Sequence, residues 1–328
     1  MRPPLIRQLP STLPTVIRRF VQPYSTQSEP LIKVLDVQAP HTGRIRILSL
    51  ARPAARNAIS KQLLQELRTN VDIVAAEYAE DGSEVPPQKY YGGAAGVDQR
   101  GPTRALVLAS DVDSCFCAGA DLKERSGFTA EETAAFLANL RSTFTALSLL
   151  PIPTISAVSS LALGGGLELA LCTHMRVFAT TAQVGLPETR LGIIPGAGGT
   201  YRLPGLIGLG RARDLVLTGR RVSAAEAYFL GIADRLVEVV PKEGEEESED
   251  GKKALMSRAK DQVLSEAVKL AGEICQGAPT AVRSALQAVG YAREEVENKM
   301  YDRVVSTEDR NEALAAFREK RMPVFKGR

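Results

Sequence analysis

Two glutamates stand beside turns that could aim them at one small cavity. Glu168 occurs in Gly164-Gly165-Gly166-Leu167-Glu168-Leu169-Ala170, and Glu188 in Leu186-Pro187-Glu188-Thr189-Arg190-Leu191-Gly192. A carboxylate on an otherwise Leu and Ala helix is costly unless paired or used, because burial raises its pKa and favours the neutral acid. Two such groups out of water titrate apart, which supplies one base and one acid. The glycines bring something else. Without Cβ they let a ligand approach the backbone, and amides at a helix start are unsatisfied and electropositive. Such a turn can donate an N–H to a developing oxyanion. The segment Phe116-Cys117-Ala118-Gly119-Ala120-Asp121-Leu122 has small residues at 118–120 from which a second N–H could face the same place. Plainer roles stand beside these: a tight strand-to-helix turn for the glycines, and ion pairs of Glu168 with Arg176 and Glu188 with Arg190.

The elements that must position these groups can be read from hydrophobic period. Ile45 to Leu50 is a short apolar run that predicts a strand, ended by Arg52-Pro53. Ile59, Leu63, Leu64, Leu67, Val71 and Val74 recur at helical spacing across 58–76. Ala105 to Ala109 and Ile155 to Val158 predict buried strands, and Thr129 opens a helix with Glu131 and Glu132 in its first turn. The triple glycine opens a further apolar helix, and a second glycine-rich turn follows at Gly196-Ala197-Gly198-Gly199-Thr200. A Gly/Pro-rich stretch near 81–103 and an acidic stretch near 241–252 are expected to be exposed insertions. Strands alternating with helices predict an α/β core over 29–260, with a helical region over 261–328.

A chain of 328 residues can bury a sizeable core, and no apolar run is long enough for a transmembrane helix. The formal charge of +3 is unevenly spread. Arg2, Arg7, Arg18 and Arg19 precede the first acid, Glu29, in a segment rich in Ser, Thr and Pro. That pattern predicts a transit peptide over 1–28 and import into the mitochondrial matrix. Cys115, Cys117, Cys172 and Cys275 form no Cys-x-x-Cys pair, and His41 and His174 are the only histidines, so no metal site is expected. Tyr201 stands where a third glycine would be needed for a dinucleotide fingerprint, and no nucleophile elbow occurs.

Phe116 to Arg125, Leu161 to Leu171 and Leu191 to Thr200, in this order, resemble the enoyl-CoA hydratase/isomerase (crotonase) family over roughly residues 31–328. Ala120 to Arg125, with Phe317-Arg318-Glu319-Lys320-Arg321 and Lys326-Gly327, is most similar to members that hydrate 3-methylglutaconyl-CoA in leucine degradation. The resemblance implies an α/β fold, a crotonase-like spiral of ββα turns with a helical C-terminal trimerisation region, assembling as a trimer or a dimer of trimers. It implies that Ala120 and Gly165 donate the two oxyanion-hole N–H groups, that Glu168 deprotonates the attacking water, and that Glu188 delivers a proton to the α-carbon. Family isomerases keep the second glutamate alone, whereas hydratases keep both, as here. The resemblance further places Arg56 and Ala58 beside the CoA nucleotide and Ala120, Asp121, Leu122 and Lys123 at the thioester end of the CoA channel. Phe317 and Lys320 would reach CoA, in family trimers often from a neighbouring subunit. No cofactor is implied, since CoA is part of the substrate.

A methylglutaconyl group has a distal carboxylate that wants a cation. Lys123 and Arg125 are near in sequence, and Arg125 is expected to be solvated surface charge. A general short-chain enoyl-CoA hydratase is the alternative within the family. An RNA-binding role, which the resemblance implies for some members through a lysine-rich helix, belongs to another class. The helix that would carry it offers Lys61 and Arg68 among Glu66, Asp72 and Glu77, and the chain without its first 28 residues is near neutral, which argues against strong phosphate binding. Two departures from the family pattern stand out: Thr173 where relatives have Asp ahead of Arg176, which puts that arginine's pairing in question, and Ser160 where a glycine is common, with some strain expected at that turn.

Overall fold

The computed structural model describes residues 29–79, 82–86, 101–245 and 247–328. The segment 1–28, with the transit peptide expected there, lies outside them, as do residues 81 and 87–100 of the Gly/Pro-rich insertion. The strands are β1 (Ile32–Gln38), β2 (Arg44–Leu50), β3 (Thr103–Ser110), β4 (Cys115–Cys117), β5 (Thr154–Val158), β6 (Leu161–Leu163), β7 (Met175–Ala179), β8 (Gln183–Gly185), β9 (Arg221–Ser223) and β10 (Arg235–Val237). The helices are α1 (Lys61–Ala75), α2 (Leu122–Arg125), α3 (Ala130–Ser148), α4 (Gly165–Ala170), α5 (Gly199–Ile207), α6 (Leu209–Thr218), α7 (Ala224–Leu230), α8 (Glu249–Ile274), α9 (Pro279–Tyr291), α10 (Glu294–Val305) and α11 (Glu308–Glu319).

Two mixed sheets take these strands in turn. Six strands pair in the order β1-β2-β3-β5-β7-β10, and four in the order β4-β6-β8-β9. Each turn of the chain therefore lays a strand in the large sheet, steps to the small one, and returns through helix: β3 to β4, β5 to β6, β7 to β8. Apart from the antiparallel edge pairs β1–β2 and β8–β9, the neighbours run parallel. This is the expected α/β spiral.

The large sheet is covered on both faces, which is why its central strands read as unbroken apolar runs. Ala105, Val107 and Ala109 of β3 pack with Ile155, Ala157, Val177 and Ala179 against the stripe Leu255, Ala259, Val263, Ala267 and Ala271 of α8. Leu106 and Leu108 point the other way, into the core shared with Leu63, Leu64, Leu67, Val71 and Val74 of α1 and Phe136, Leu140, Phe144 and Leu147 of α3. Ser60 caps α1 by accepting from Leu63 N–H at 3.1 Å. Thr129 and Glu132 close a reciprocal capping box on α3.

Two elements differ from the sequence expectation. Helix α8 begins at Glu249 on a Ser248 cap, so the second half of the acidic stretch is helical and residues 260 and 261 fall inside one helix. Ile59, grouped above with the helix, precedes α1 and instead bridges to Ala120. No helix among the described residues is long and apolar enough to cross a membrane.

Candidate active site

β4, β6 and β8 lie side by side and run in the same direction, so their carboxyl ends deliver three connections to one edge of the small sheet. Ligand sites form at such edges. Leu163 pairs with Gly185, and the next amide, Gly164 N–H, donates to Gly185 O at 2.9 Å. That bond sets the start of α4, which carries Glu168, beside the turn that carries Glu188.

Each glycine of the triplet meets a different demand. Gly164 adopts φ 53° and ψ −125°, and a Cβ there would stand 3.0 Å from Glu188 Oε1. A Cβ on Gly166 would come within 2.1 Å of Cys117 O, so α4 can seat against β4 only without one. Gly165 is the first helical residue, where the N–H has no partner within the helix. Facing it is Ala120. Ile59 N–H donates to Gly119 O at 2.8 Å and Asp121 N–H to Ile59 O at 3.2 Å. This parallel bridge uses the residues on either side of Ala120 and turns its own N–H away from Ile59. A Cβ on Gly165 would lie 3.6 Å from Ala120 N, which measures how close the two backbones come.

Glu168 is buried, and its Oε1 accepts from Ala197 N–H and Gly199 N–H, each at 2.8 Å. The second glycine-rich turn thus exists to hold this carboxylate, a role its sequence gave no sign of beyond its glycines. Burial pushes the Glu168 pKa up, and these amides partly offset the rise. Glu188 opens a short 3-10 turn (Glu188–Leu191) and is also buried, with Oε2 lacking any hydrogen-bond partner. Burial first, and the charge of Glu168 in addition, push its pKa up to about 7. Neither plain ion pair forms. Arg176 pairs with Asp234 at 2.9 Å, and Arg190 Nε donates to Thr218 O at 2.8 Å.

Both acids line a single cavity of about 680 Å³ whose wall is otherwise largely apolar, with Leu137, Leu140, Ile193 and Ile194. Ala120 and Gly165 are not among its lining residues; they are placed near it by Gly164, next to Gly165, where a Cβ would stand 3.0 Å from Glu188 Oε1.

The sequence profile for enoyl-CoA hydratase/isomerase matches residues 96–328. A curated relative from Pyricularia oryzae, "Methylglutaconyl-CoA hydratase 1, mitochondrial", is 64% identical over 94% of this chain and 90% of its own length. The Mus musculus "Methylglutaconyl-CoA hydratase, mitochondrial" is 34% identical over 93% of this chain and 87% of its own. The crystal structure of an enoyl-CoA hydratase from Bacillus anthracis superposes with a TM-score of 0.72 at 35% identity, covering 91% of this chain and all of that one.

The chain belongs to the enoyl-CoA hydratase/isomerase family.

Within this family member the remaining expected residues divide. The Asp121 carboxylate is occupied: it caps α2 through Lys123 N and Glu124 N at 3.1 Å each and pairs with Arg52 at 2.6 Å. Against the upward push of burial, Arg52 and those amides hold its pKa below the ordinary range. Arg56 and Ala58 are tied to the same edge, Arg56 O accepting from Ala118 N–H at 3.1 Å and Ala58 O from Arg52 Nη1 at 2.8 Å, and neither lines the cavity with the acids. Leu122 and Lys123 are exposed and outside that lining. Phe317, 84% exposed, and Lys320, the C-cap that follows α11, also lie outside it.

Arg125 corrects the expectation of solvated surface charge. It is half-buried, lines the cavity with both acids, and rests over the Phe136 ring at 5.9 Å. The two departures resolve differently. Arg176 finds Asp234 together with Thr173 O and Ile232 O in place of the missing neighbour, so its pairing is kept by other groups. His174 accepts from Thr154 N–H at 3.1 Å, and burial, then the Arg176 charge, lower its pKa to about 4. Ser160 is not among the residues with left-handed backbone, so the expected strain is absent, but its buried Oγ has no partner.

Proposed function

We propose that this chain, an enoyl-CoA hydratase by family, adds water reversibly across the double bond of 3-methylglutaconyl-CoA in the mitochondrial matrix. The observation that carries this is the convergence of Glu168 and Glu188, both buried, on one cavity at the edge where the Ala120 and Gly165 amides meet. A thioester oxygen between those two N–H groups is stabilised as it becomes enolate-like, and losing one such donor costs about 3–4 kcal/mol. Glu168, with Oε1 fixed by Ala197 and Gly199, has Oε2 left to take a proton from water attacking the β-carbon. Glu188, whose burial favours the protonated form up to about pH 7, gives its proton to the α-carbon. The pair therefore enters the reaction with one proton and leaves it with one.

Support for the acyl group comes from the relatives named above and from Arg125 in the cavity wall. Crotonyl-CoA, the simplest uncharged substrate, would suit the apolar lining equally well. The apolar side chains left exposed on the C-terminal helices, among them Val289, Tyr301 and Phe317, support a trimer or hexamer in which Phe317 and Lys320 face CoA in a neighbouring subunit. Import into mitochondria rests on the basic leader and the relatives' names. Nucleic-acid binding finds little to use on α1, where Lys61 pairs with Glu132 and Arg68 with Asp72.

The test is kcat/KM for 3-methylglutaconyl-CoA against crotonyl-CoA, with Glu168→Gln and Glu188→Gln alongside. Each variant is expected to lose on the order of 10²–10⁴-fold in turnover while still binding acyl-CoA. Near-normal hydration in the double variant would end the mechanism. A wild-type preference for crotonyl-CoA would end the assignment of substrate.

A further inference from the structure

We infer that Arg125 is the group that selects an acyl chain with a carboxylate at its far end. The inference rests on the proposed hydration of an acidic enoyl-CoA and names the residue that would make the enzyme prefer it. A substrate carboxylate entering this cavity meets two buried acids, Glu168 and Glu188, and a mainly aliphatic wall. Without a cation there, repulsion and desolvation would both act against it.

Two arginines line the cavity, and their commitments differ. Arg141 is exposed and donates through Nε to Gly196 O at 2.8 Å, so it braces the turn whose amides hold Glu168. Arg125 has no carboxylate partner among the described residues, and its guanidinium lies over the ring of Phe136 at 5.9 Å. A cation–π contact at 5.9 Å uses none of the guanidinium N–H groups, and their planar fork matches a carboxylate bidentately. Arg125 ends the four-residue helix α2, whose first turn is capped by Asp121, the residue that follows Ala120. The same short element thus joins the amide proposed to grip the thioester to the cation proposed to grip the far end. Lys123, on that element too, is exposed and outside the lining.

The experiment compares wild type with Arg125→Leu, Arg125→Lys and Arg141→Leu. It reads kcat/KM for 3-methylglutaconyl-CoA and crotonyl-CoA, and inhibition by glutaryl-CoA and butyryl-CoA. In Arg125→Leu the ratio of acidic to uncharged substrate should fall on the order of 10–100-fold, the span expected for losing hydrogen bonds to a charged group. Glutaryl-CoA should lose affinity relative to butyryl-CoA by a similar factor, and Arg125→Lys should recover part of both. Arg141→Leu should depress both substrates together. Equal losses on both substrates in Arg125→Leu, or a ratio that follows Arg141 instead, would overturn the inference. Should wild type prefer crotonyl-CoA, the substrate assignment falls. The glutaryl-CoA comparison then decides Arg125 by itself, a selective loss supporting its role and a uniform one refuting it.

Discussion

Glu188→Gln should make the protein more stable in alkaline solution while removing its activity. The carboxyl has an ordinary pKa of 4.5 and is pushed to about 7 in the fold, chiefly by burial, with Oε2 unpartnered. An acid whose folded pKa is raised binds its proton more tightly when folded, so folding is opposed as pH climbs from the unfolded value to the folded one. The penalty is absent below about pH 4.5, grows through the window between the two values, and is complete above about pH 7. At about 1.4 kcal/mol per tenfold change in proton affinity, it comes to roughly 1 kcal/mol at pH 5 and about 3 kcal/mol at pH 8. Glutamine has the same shape and no charge, so the variant escapes this term. Urea unfolding of both proteins at pH 5 and pH 8 should show a stability gap that widens by about 2 kcal/mol or more. Protein concentration must be held fixed, because assembly adds a mass-action term. A gap of equal size at both pH values would refute the claim that this carboxyl is held against its charge.

Three further outcomes follow from the same geometry. Because hydration consumes no net proton and the acid pair works with one between them, kcat/KM should fall above about pH 7 for hydration and dehydration alike; a limb seen in one direction only would contradict the shared proton. Gly164→Ala should cost about 1–3 kcal/mol from its backbone conformation and displace Glu188, whose Oε1 would be 3.0 Å from the new Cβ, so hydration should drop at least tenfold in protein that still assembles by light scattering. Ser160→Ala should raise the urea midpoint by the equivalent of about 1 kcal/mol, since a buried hydroxyl without a partner is removed. Ser160→Gly should gain less, because no positive φ there rewards a glycine.

What could be foreseen from sequence followed the reach of the physical signal. β3 and β5 are buried on both faces, so their apolar runs announce them, and α1 and α3 show their buried stripe at helical spacing. The strands that assemble the site are another matter. β4, β6 and β8 have three residues each, too few for any period to emerge, yet their adjacency brings residues 120, 165, 168 and 188 to one edge. Local chemistry marked those residues, and only the pairing of distant strands makes them neighbours. The start of α8 inside the acidic stretch was legible in principle: Ser248 followed by Glu249 and Asp250 is a cap with acids in the first turn, and net charge alone hid it. Arg125 shows the opposite limit. A charged residue on a four-residue helix reads as surface from its type, and its neighbour in the fold is Phe136, eleven positions later on a separate helix, with the guanidinium 5.9 Å over its ring. Nothing local distinguishes such an arginine from its solvated neighbour Lys123. The distinction exists in the packing of α2 on α3, and substrate choice is the property that should depend on it.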